Sequence, residues 1–230
     1  MTIRDDYITA LGLLVPGELP LGESEKILAV NQAMKMHSRY RPRLIVEDET
    51  GDGGFDYAIS DLEHWKDGFS VIKTVEYPVD DDDETPDILE DDAWTIYRKP
   101  AGNYLRFSSE KPAATESFRV TYTAYHTCTD ADCTVEDYDE EAVQALSAGY
   151  FCTMLAAYYA QNQESPMGAD VVDHRSKSQE YAARAKMYRK AYFDHIGVVE
   201  GKTVAASVTM DQDPKPSWQG DGLTHQRKYR

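Results

Sequence analysis

The amino-acid sequence predicts an α+β protein: a helical bundle of two short N-terminal helices and a long C-terminal helical hairpin, with an antiparallel β insertion and an extended C-terminal tail. Over residues 142–196, apolar side chains recur every three or four positions, which is the helical period. Between residues 43 and 126 the period is two, which is typical of strands. We therefore predict a bundle over residues 1–200, a β insertion at about 43–126 and an extended arm over residues 201–230.

Two short helices are predicted before the β insertion. Residues 3–14 carry apolar side chains at helical spacing and are followed by Pro16 and Gly17, which end the helix. A second helix begins at about Ser24. It ends at Pro42, because proline has no backbone N–H and its ring obstructs the preceding turn.

Six segments are predicted strands, and we expect them to form an antiparallel sheet. Pro100 and Gly102 occupy the second and fourth positions of a tight turn, so the strands on either side of them should form a hairpin. The predicted strands are Leu44–Glu47, Phe55–Ile59, Phe69–Tyr77, Trp94–Arg98, Asn103–Phe107 and Ser117–Tyr125.

The C-terminal hairpin consists of two long helices joined by a breaker at residues 164–168. The first helix has no charged side chain between Ala142 and Gln163 and carries two adjacent apolar rows, so it needs cover on two sides. Its own bundle can cover one side, and the β insertion or a second copy of the protein would cover the other. The rows are Val143, Leu146, Tyr150, Met154 and Ala157, then Cys152, Leu155 and Tyr159; the second helix presents Ser178, Tyr181, Ala185, Tyr188 and Tyr192.

Polar residues indicate where this first hairpin helix begins and what surrounds it. Asp137 and Asp139 precede Ala142 and should cap the helix and match its dipole. Polar and small residues such as Ser147 and Gly149 interrupt the apolar run, and no basic flank sets an orientation. These features favour a helix of a soluble bundle over a membrane span.

Charge is distributed unevenly along the chain, whose formal net charge is −17. Residues 61–100 carry 13 acidic and 4 basic side chains, whereas residues 201–230 carry 3 acidic and 5 basic ones. An acidic body repels nucleic acid, which argues against a DNA-binding role built on phosphate contacts. Residues 1–6 show no basic region followed by an apolar run, so we expect synthesis in the cytoplasm.

The sequence contains no recognisable catalytic or metal site. Residues 80–84 are consecutive carboxylates, whose mutual repulsion predicts a solvated loop. His126, Cys128 and Cys133 are potential zinc ligands, but their spacing matches no paired-ligand motif, so an irregular connection with reduced thiols is the better interpretation. Phosphate-loop, nucleophile and zinc-protease motifs are missing, and the six histidines are scattered. We therefore expect no enzyme activity, no metal and no cofactor.

Three stretches of the sequence carry a resemblance to a known family. They are residues 65–78 (WKDGFSVIKTVEYP), 173–186 (DHRSKSQEYAARAK) and 224–227 (THQR). They look like the strand that begins the β insertion, the last long helix and the basic C-terminal arm of the head-to-tail adaptor (connector) proteins of tailed bacteriophages. The resemblance covers nearly the whole chain.

This resemblance implies a structural virion protein. Its helical bundle would assemble with copies of itself as a ring under the portal protein, and its β insertion would face the neck or tail proteins. DNA would pass through the ring without specific binding. The protein would be made in the host bacterial cytoplasm and would then lie in the virion.

The C-terminal arm is the predicted partner-binding segment. Its charge is opposite to that of the body, and its low apolar content prevents it from folding alone. The resemblance implies that the arm reaches into the portal protein or an adjacent subunit, where aromatic and arginine side chains would serve as anchors. The predicted partner-binding residues are Trp218, His225, Arg227, Lys228, Tyr229 and Arg230.

Two other functions remain open. A tail-completion or terminator protein of the virion would also form rings, but it does not need a long C-terminal arm after a helical hairpin. A non-viral cytosolic protein-binding module would use the basic second hairpin helix to bind an acidic partner.

Overall fold

The predicted α+β class is confirmed: two short N-terminal helices, antiparallel strands and a long helical hairpin follow one another along the chain. The predicted breaker at residues 164–168 and the tail from residue 201 lie outside the described residues. This computed structural model describes residues 3–17, 20–80, 85–108, 110–161 and 174–199. The elements are α1 (Arg4–Leu14), α2 (Glu23–Tyr40), β1 (Arg43–Thr50), β2 (Asp56–Ala58), β3 (Ile72–Glu76), β4 (Trp94–Lys99), β5 (Gly102–Phe107), β6 (Ser117–Ala124), α3 (Asp137–Gln161) and α4 (His174–Ile196).

Both N-terminal helices begin with a carboxylate that reaches back to the residue before the helix. Asp6 accepts a hydrogen bond from the backbone N–H of Ile3 (3.0 Å), and Glu25 accepts one from the backbone N–H of Gly22 (2.9 Å). These contacts satisfy N–H groups at the point where the intrahelical hydrogen bonds begin. The end of α2, two residues before Pro42, agrees with the prediction.

The strands form two three-stranded antiparallel sheets, so the prediction of a single sheet is wrong. One sheet has the order β1-β6-β3 and the other β2-β5-β4. The predicted hairpin is present, because β4 pairs with β5 from Trp94 opposite Phe107 to Lys99 opposite Gly102. A period of two identifies a strand and its two faces, but it does not say which strands are neighbours.

The two sheets share one apolar core. Phe107 of β5 and Phe118 of β6 meet edge to face with their ring centroids 5.3 Å apart, and the ring of Tyr57 in β2 lies 4.6 Å from that of Phe118. This cluster also includes Ile59 and Leu62 and is separate from the apolar cluster of the helices. The β insertion therefore has a hydrophobic core of its own.

α3 is the central helix of the bundle. It packs against α4 and also against α1 and α2, so the prediction that its second side needs the β insertion or a second copy is wrong. Leu146, Cys152 and Leu155 are completely buried, whereas Met154 is half-buried and Ala157 is exposed. Within the part of the chain that the structure describes, no helix is long and apolar enough to span a membrane.

α4 presents the predicted face to the bundle. Tyr181, Ala185 and Tyr192 all belong to the helical cluster or pack against it. Gly149 of α3 allows α4 to approach closely, because a Cβ atom at that position would lie 3.1 Å from Cγ of Arg189 and 3.4 Å from the carbonyl oxygen of Ala185.

Candidate functional site: a buried polar cluster where the β insertion meets the helices

The chain crosses between the bundle and the β insertion twice, and the two crossings lie side by side. Arg43, the first residue of β1, pairs with Ala124, the last residue of β6. The segment after β6 is tied to α2, because the backbone N–H of His126 donates to Ser38 Oγ (2.9 Å) and this hydroxyl donates to the carbonyl oxygen of Met34 (2.7 Å). A polar cluster surrounds this junction. We call it the junction cluster; it consists of His37, Arg41, His126, Asp139 and His195.

Asp139 is the centre of the junction cluster and is only 3% exposed. Nη1 of Arg41 donates to both carboxylate oxygens, at 2.6 and 2.7 Å, and Nε2 of His195 lies 2.8 Å from Oδ1. Burial alone would raise the pKa of Asp139, but the hydrogen bonds from Arg41 and His195 outweigh burial and hold this pKa below its usual value. Asp139 is therefore ionised at neutral pH, and it links the end of α2 to α3 and α4.

The helix α3 begins earlier than the sequence analysis expected. It starts at Asp137, so the prediction that Asp137 and Asp139 precede the helix is wrong. Asp139 lies in the first turn, where the helix dipole favours a negative charge. Its side chain forms an ion pair with Arg41 and a hydrogen bond with His195. Both partners are far away in the sequence, so no capping pattern reveals them.

His37 lies beside the Asp139 carboxylate and is 1% exposed. Its Nε2 is 3.7 Å from Oδ2 of Asp139, and its Nδ1 is 3.1 Å from the hydroxyl oxygen of Tyr192. Burial lowers the pKa of His37 to about 4, and His126, whose ring centroid is 5.0 Å away, acts in the same direction. His37 is therefore neutral at neutral pH.

His126 joins the entry and the exit of the β insertion through both of its ring nitrogens. Nε2 lies 2.9 Å from the carbonyl oxygen of Arg41, and Nδ1 lies 2.9 Å from the carbonyl oxygen of Thr134. Carbonyl oxygens only accept hydrogen bonds, so a neutral imidazole can satisfy one of these contacts and an imidazolium can satisfy both. The side chain thus holds three backbone segments together.

The junction cluster holds its groups in place and leaves little free for chemistry. Both oxygens of Asp139 already accept hydrogen bonds from Arg41. Across the described ranges, no group of three or more His, Cys, Asp or Glu side chains could hold a metal ion. What the arrangement can do is fix the β insertion on the bundle.

The residues predicted to bind partners do not belong to the described part of the chain. All six of them, Trp218, His225, Arg227, Lys228, Tyr229 and Arg230, lie outside it, so their role stays a prediction. Of the acidic run at residues 80–84, Asp80 is described and is exposed.

Sequence reasoning missed the junction cluster. It treated the histidines as scattered, whereas the structure places His37 and His195 beside Asp139 and His126 beside His37. These residues are up to 158 positions apart, so local spacing could not reveal the site. The available signal was weaker: arginine and histidine side chains stand at both ends of the predicted β insertion.

Comparison with known proteins adds two distant structural similarities. No protein-family model and no curated protein matches the chain. A solved structure described as the neck of an empty GTA particle, computed with C6 symmetry, is 10% identical, with 76% of this chain and 87% of that chain covered at a TM-score of 0.29. Another, the neck of a native GTA particle computed with C12 symmetry, is 11% identical, with 68% and 80% covered at a TM-score of 0.26. Likenesses at this level carry no argument about function.

Proposed function

We propose that this protein is a structural component of a tailed-phage virion: a head-to-tail adaptor that forms a ring below the portal, connects the capsid to the neck or tail and lets DNA pass. The observation that carries the proposal is the arrangement of parts, a helical bundle with a β insertion that has its own core. The sequence resemblance implies the same arrangement. The protein would be made in the host bacterial cytoplasm and would act in the virion without catalysing a reaction.

The junction cluster suits a protein that connects two other virion proteins. Such a protein has to keep its two binding surfaces, one on the bundle and one on the β insertion, in a fixed relative orientation when force acts on them. The part-buried pair of Asp139 and Arg41 fixes the end of α2 on α3, and His126, which is bonded to Ser38 and to the carbonyl oxygen of Arg41, ties the end of the β insertion to the same point. In the proposal, the bundle contacts the portal and neighbouring copies, and the insertion contacts the next neck or tail protein.

Charge complementarity supports contact between copies. α4 exposes Lys186, Met187 and Lys190, whereas residues 61–100 of the β insertion carry 13 acidic and 4 basic side chains. The basic helix of one copy can therefore attract the acidic insertion of the next. The acidic body also suits a conduit, because carboxylates do not bind the duplex that has to pass.

Assembly with a tailed-phage portal protein tests the proposal. Size-exclusion chromatography with light scattering should show a ring-sized complex of the full-length protein with the portal. Deletion of residues 215–230 should leave a folded protein that no longer joins portal-containing heads to tails. Trp218→Ala combined with Arg227→Ala should reproduce much of this loss, because these two side chains are the proposed anchors.

A matched control lies in the same arm. Gln219→Ala combined with Gln226→Ala removes neither an aromatic ring nor a charge, so this variant should assemble like the wild type. Normal assembly by the truncated protein would refute the docking role of the arm. The adaptor function itself would be refuted if the full-length protein did not bind the portal and did not restore tail attachment to heads that lack this protein.

A further inference from the structure

Cys128 and Cys133 face each other across a short antiparallel turn and form an isolated bridge pair. The hydrogen bonds on either side make them a non-hydrogen-bonded pair, the position at which opposed Cα atoms come closest, at about 4.5 Å. A disulfide requires Cα atoms about 4.4–6.8 Å apart, so the backbone already meets this requirement. The flanking bonds are Thr134 N–H to the carbonyl oxygen of Thr127 (2.9 Å) and Thr129 N–H to the carbonyl oxygen of Asp132 (2.7 Å).

We propose that Cys128 and Cys133 are a redox site. By exchange with a small-molecule disulfide such as oxidised glutathione, they form a reversible disulfide with each other. The site lies outside the junction cluster and does not depend on the adaptor function. In the cytoplasm the two thiols are expected to stay reduced; an oxidising medium outside the cell, which the protein would meet as part of the proposed virion, would allow them to oxidise.

The two thiols differ in the way that a stepwise exchange requires. Cys133 is half-buried and Cys128 is buried, so an oxidant reaches Cys133 first. The contact with the Cys128 thiol lowers the pKa of Cys133 below its ordinary value, whereas the same contact, together with burial, raises the pKa of Cys128. Cys133 is therefore the thiol that ionises more readily, and it supplies the attacking thiolate.

The reaction is an ordinary thiol–disulfide exchange. The Cys133 thiolate attacks one sulfur of oxidised glutathione, the S–S bond breaks, and one glutathione leaves as a thiolate. The Cys128 thiol then passes its proton to that thiolate, and the Cys128 thiolate attacks the Cys133 sulfur. The bond between Cys133 and glutathione breaks, and the second glutathione leaves as a thiolate, which takes up from water the proton that Cys133 had lost. One glutathione disulfide is reduced to two thiols, while the two cysteine thiols are oxidised to one disulfide.

The turn that would be closed also holds the first helix. The backbone N–H of Arg4 donates to the carbonyl oxygen of Thr129 (3.0 Å), and the Arg4 guanidinium pairs with Asp130. The buried hydroxyl of Tyr7 has no nitrogen or oxygen partner among the described residues and instead interacts with the Cys133 sulfur. Closing the turn should therefore stabilise the attachment of α1.

The experiment uses the full-length protein, treated with oxidised glutathione and then mapped by non-reducing peptide mass spectrometry. We expect one disulfide bond between Cys128 and Cys133, a loss of two hydrogen atoms, and reversal by a thiol reductant. The melting temperature should rise by about 5 °C, since a short closed loop restrains the unfolded chain. Backbone amides of α1 should exchange more slowly in the oxidised protein.

Variants separate the proposed pair from the third cysteine. Cys152→Ala removes a thiol that is completely buried in the helical core, and this variant should still form the linkage. Cys133→Ala should show neither the linkage nor the rise in melting temperature on oxidation. A stable glutathione adduct on Cys133 of the wild type, a linkage between two chains, or no reaction at all would each overturn the proposal, and these readouts on the wild type do not depend on whether a variant folds.

Discussion

The buried histidine at the junction predicts a specific loss of stability in mild acid. His37 has a pKa of about 4 in the folded protein because burial disfavours its charged form. In the unfolded chain an exposed histidine titrates near its ordinary value of about 6.5. Between these two values, the unfolded chain binds a proton that the folded protein excludes. The free energy of unfolding is therefore constant, as far as His37 is concerned, above about pH 6.5 and falls as the pH is lowered from there to about 4.

The size of this effect follows from the two pKa values. Their difference corresponds to roughly 3 kcal/mol once the pH is below both of them. At pH 5, part of the way through the window, about 2 kcal/mol should already be lost relative to pH 8. Asp139 acts in a different window, because its lowered pKa places the loss of its contribution at a pH below its usual value.

Urea unfolding at a series of pH values measures this effect. His37→Gln keeps a polar group toward Tyr192 but has no titratable ring, so the difference in unfolding free energy between wild type and variant should shrink by about 2 kcal/mol from pH 8 to pH 5. His64→Gln, at an exposed position, is the matched control and should follow the wild-type curve. A difference between wild type and His37→Gln that stays constant or grows toward pH 5 would show that the folded protein accepts the proton.

Three further predictions concern the ion pair, the helical core and DNA. Asp139→Asn removes the counter-charge of Arg41 and an acceptor of His195, so it should cost about 3–5 kcal/mol in urea unfolding. Asp48→Asn breaks an exposed pair and should cost less than about 1 kcal/mol; similar losses would contradict the central role of Asp139. Leu146→Ala should lower the free energy of unfolding by about 2–5 kcal/mol because its side chain is completely buried, and Met154→Ala should lower it less because its side chain is half-buried. The reverse order would mean that α3 is rotated about its axis. The full-length protein should not shift duplex DNA in a gel at physiological salt, and micromolar binding with a steep salt dependence would be evidence against a passive conduit.

Local patterns predicted the elements of this fold well. The helical period from residue 142 onward predicted α3 and α4, and Pro100 with Gly102 predicted the β4–β5 hairpin. These patterns depend on neighbours in sequence, which is why they can be read without a structure. The pairing of strands depends on partners far along the chain. Arg43 pairs with Ala124, for example, and the division into two sheets was therefore not predictable from the same pattern.

The junction cluster illustrates a second limit of sequence reasoning. Asp139 has the spacing of a helix-capping residue, and nothing near it in sequence indicates that Arg41 and His195 are its partners. Met154 and Cys152 illustrate a third limit, because two neighbouring apolar rows predict an apolar helix without saying which row is the deeper one. The structure places Cys152 at full burial and Met154 at partial burial.

The pairing of Arg43 with Ala124 has a consequence for how this fold tolerates change. Opposed residues of an antiparallel pair have Cα atoms about 5 Å apart, so the points at which the chain enters and leaves the β insertion are nearly in contact. The insertion also has its own core. For the connection between the helices, residues 43–124 therefore count as a short closed link, whatever their number. Lengthening, shortening or exchanging the insertion would leave the closure entropy of the bundle almost unchanged. The surface that meets the next component could thus be altered over evolution, or by design, without rebuilding the helices that carry it.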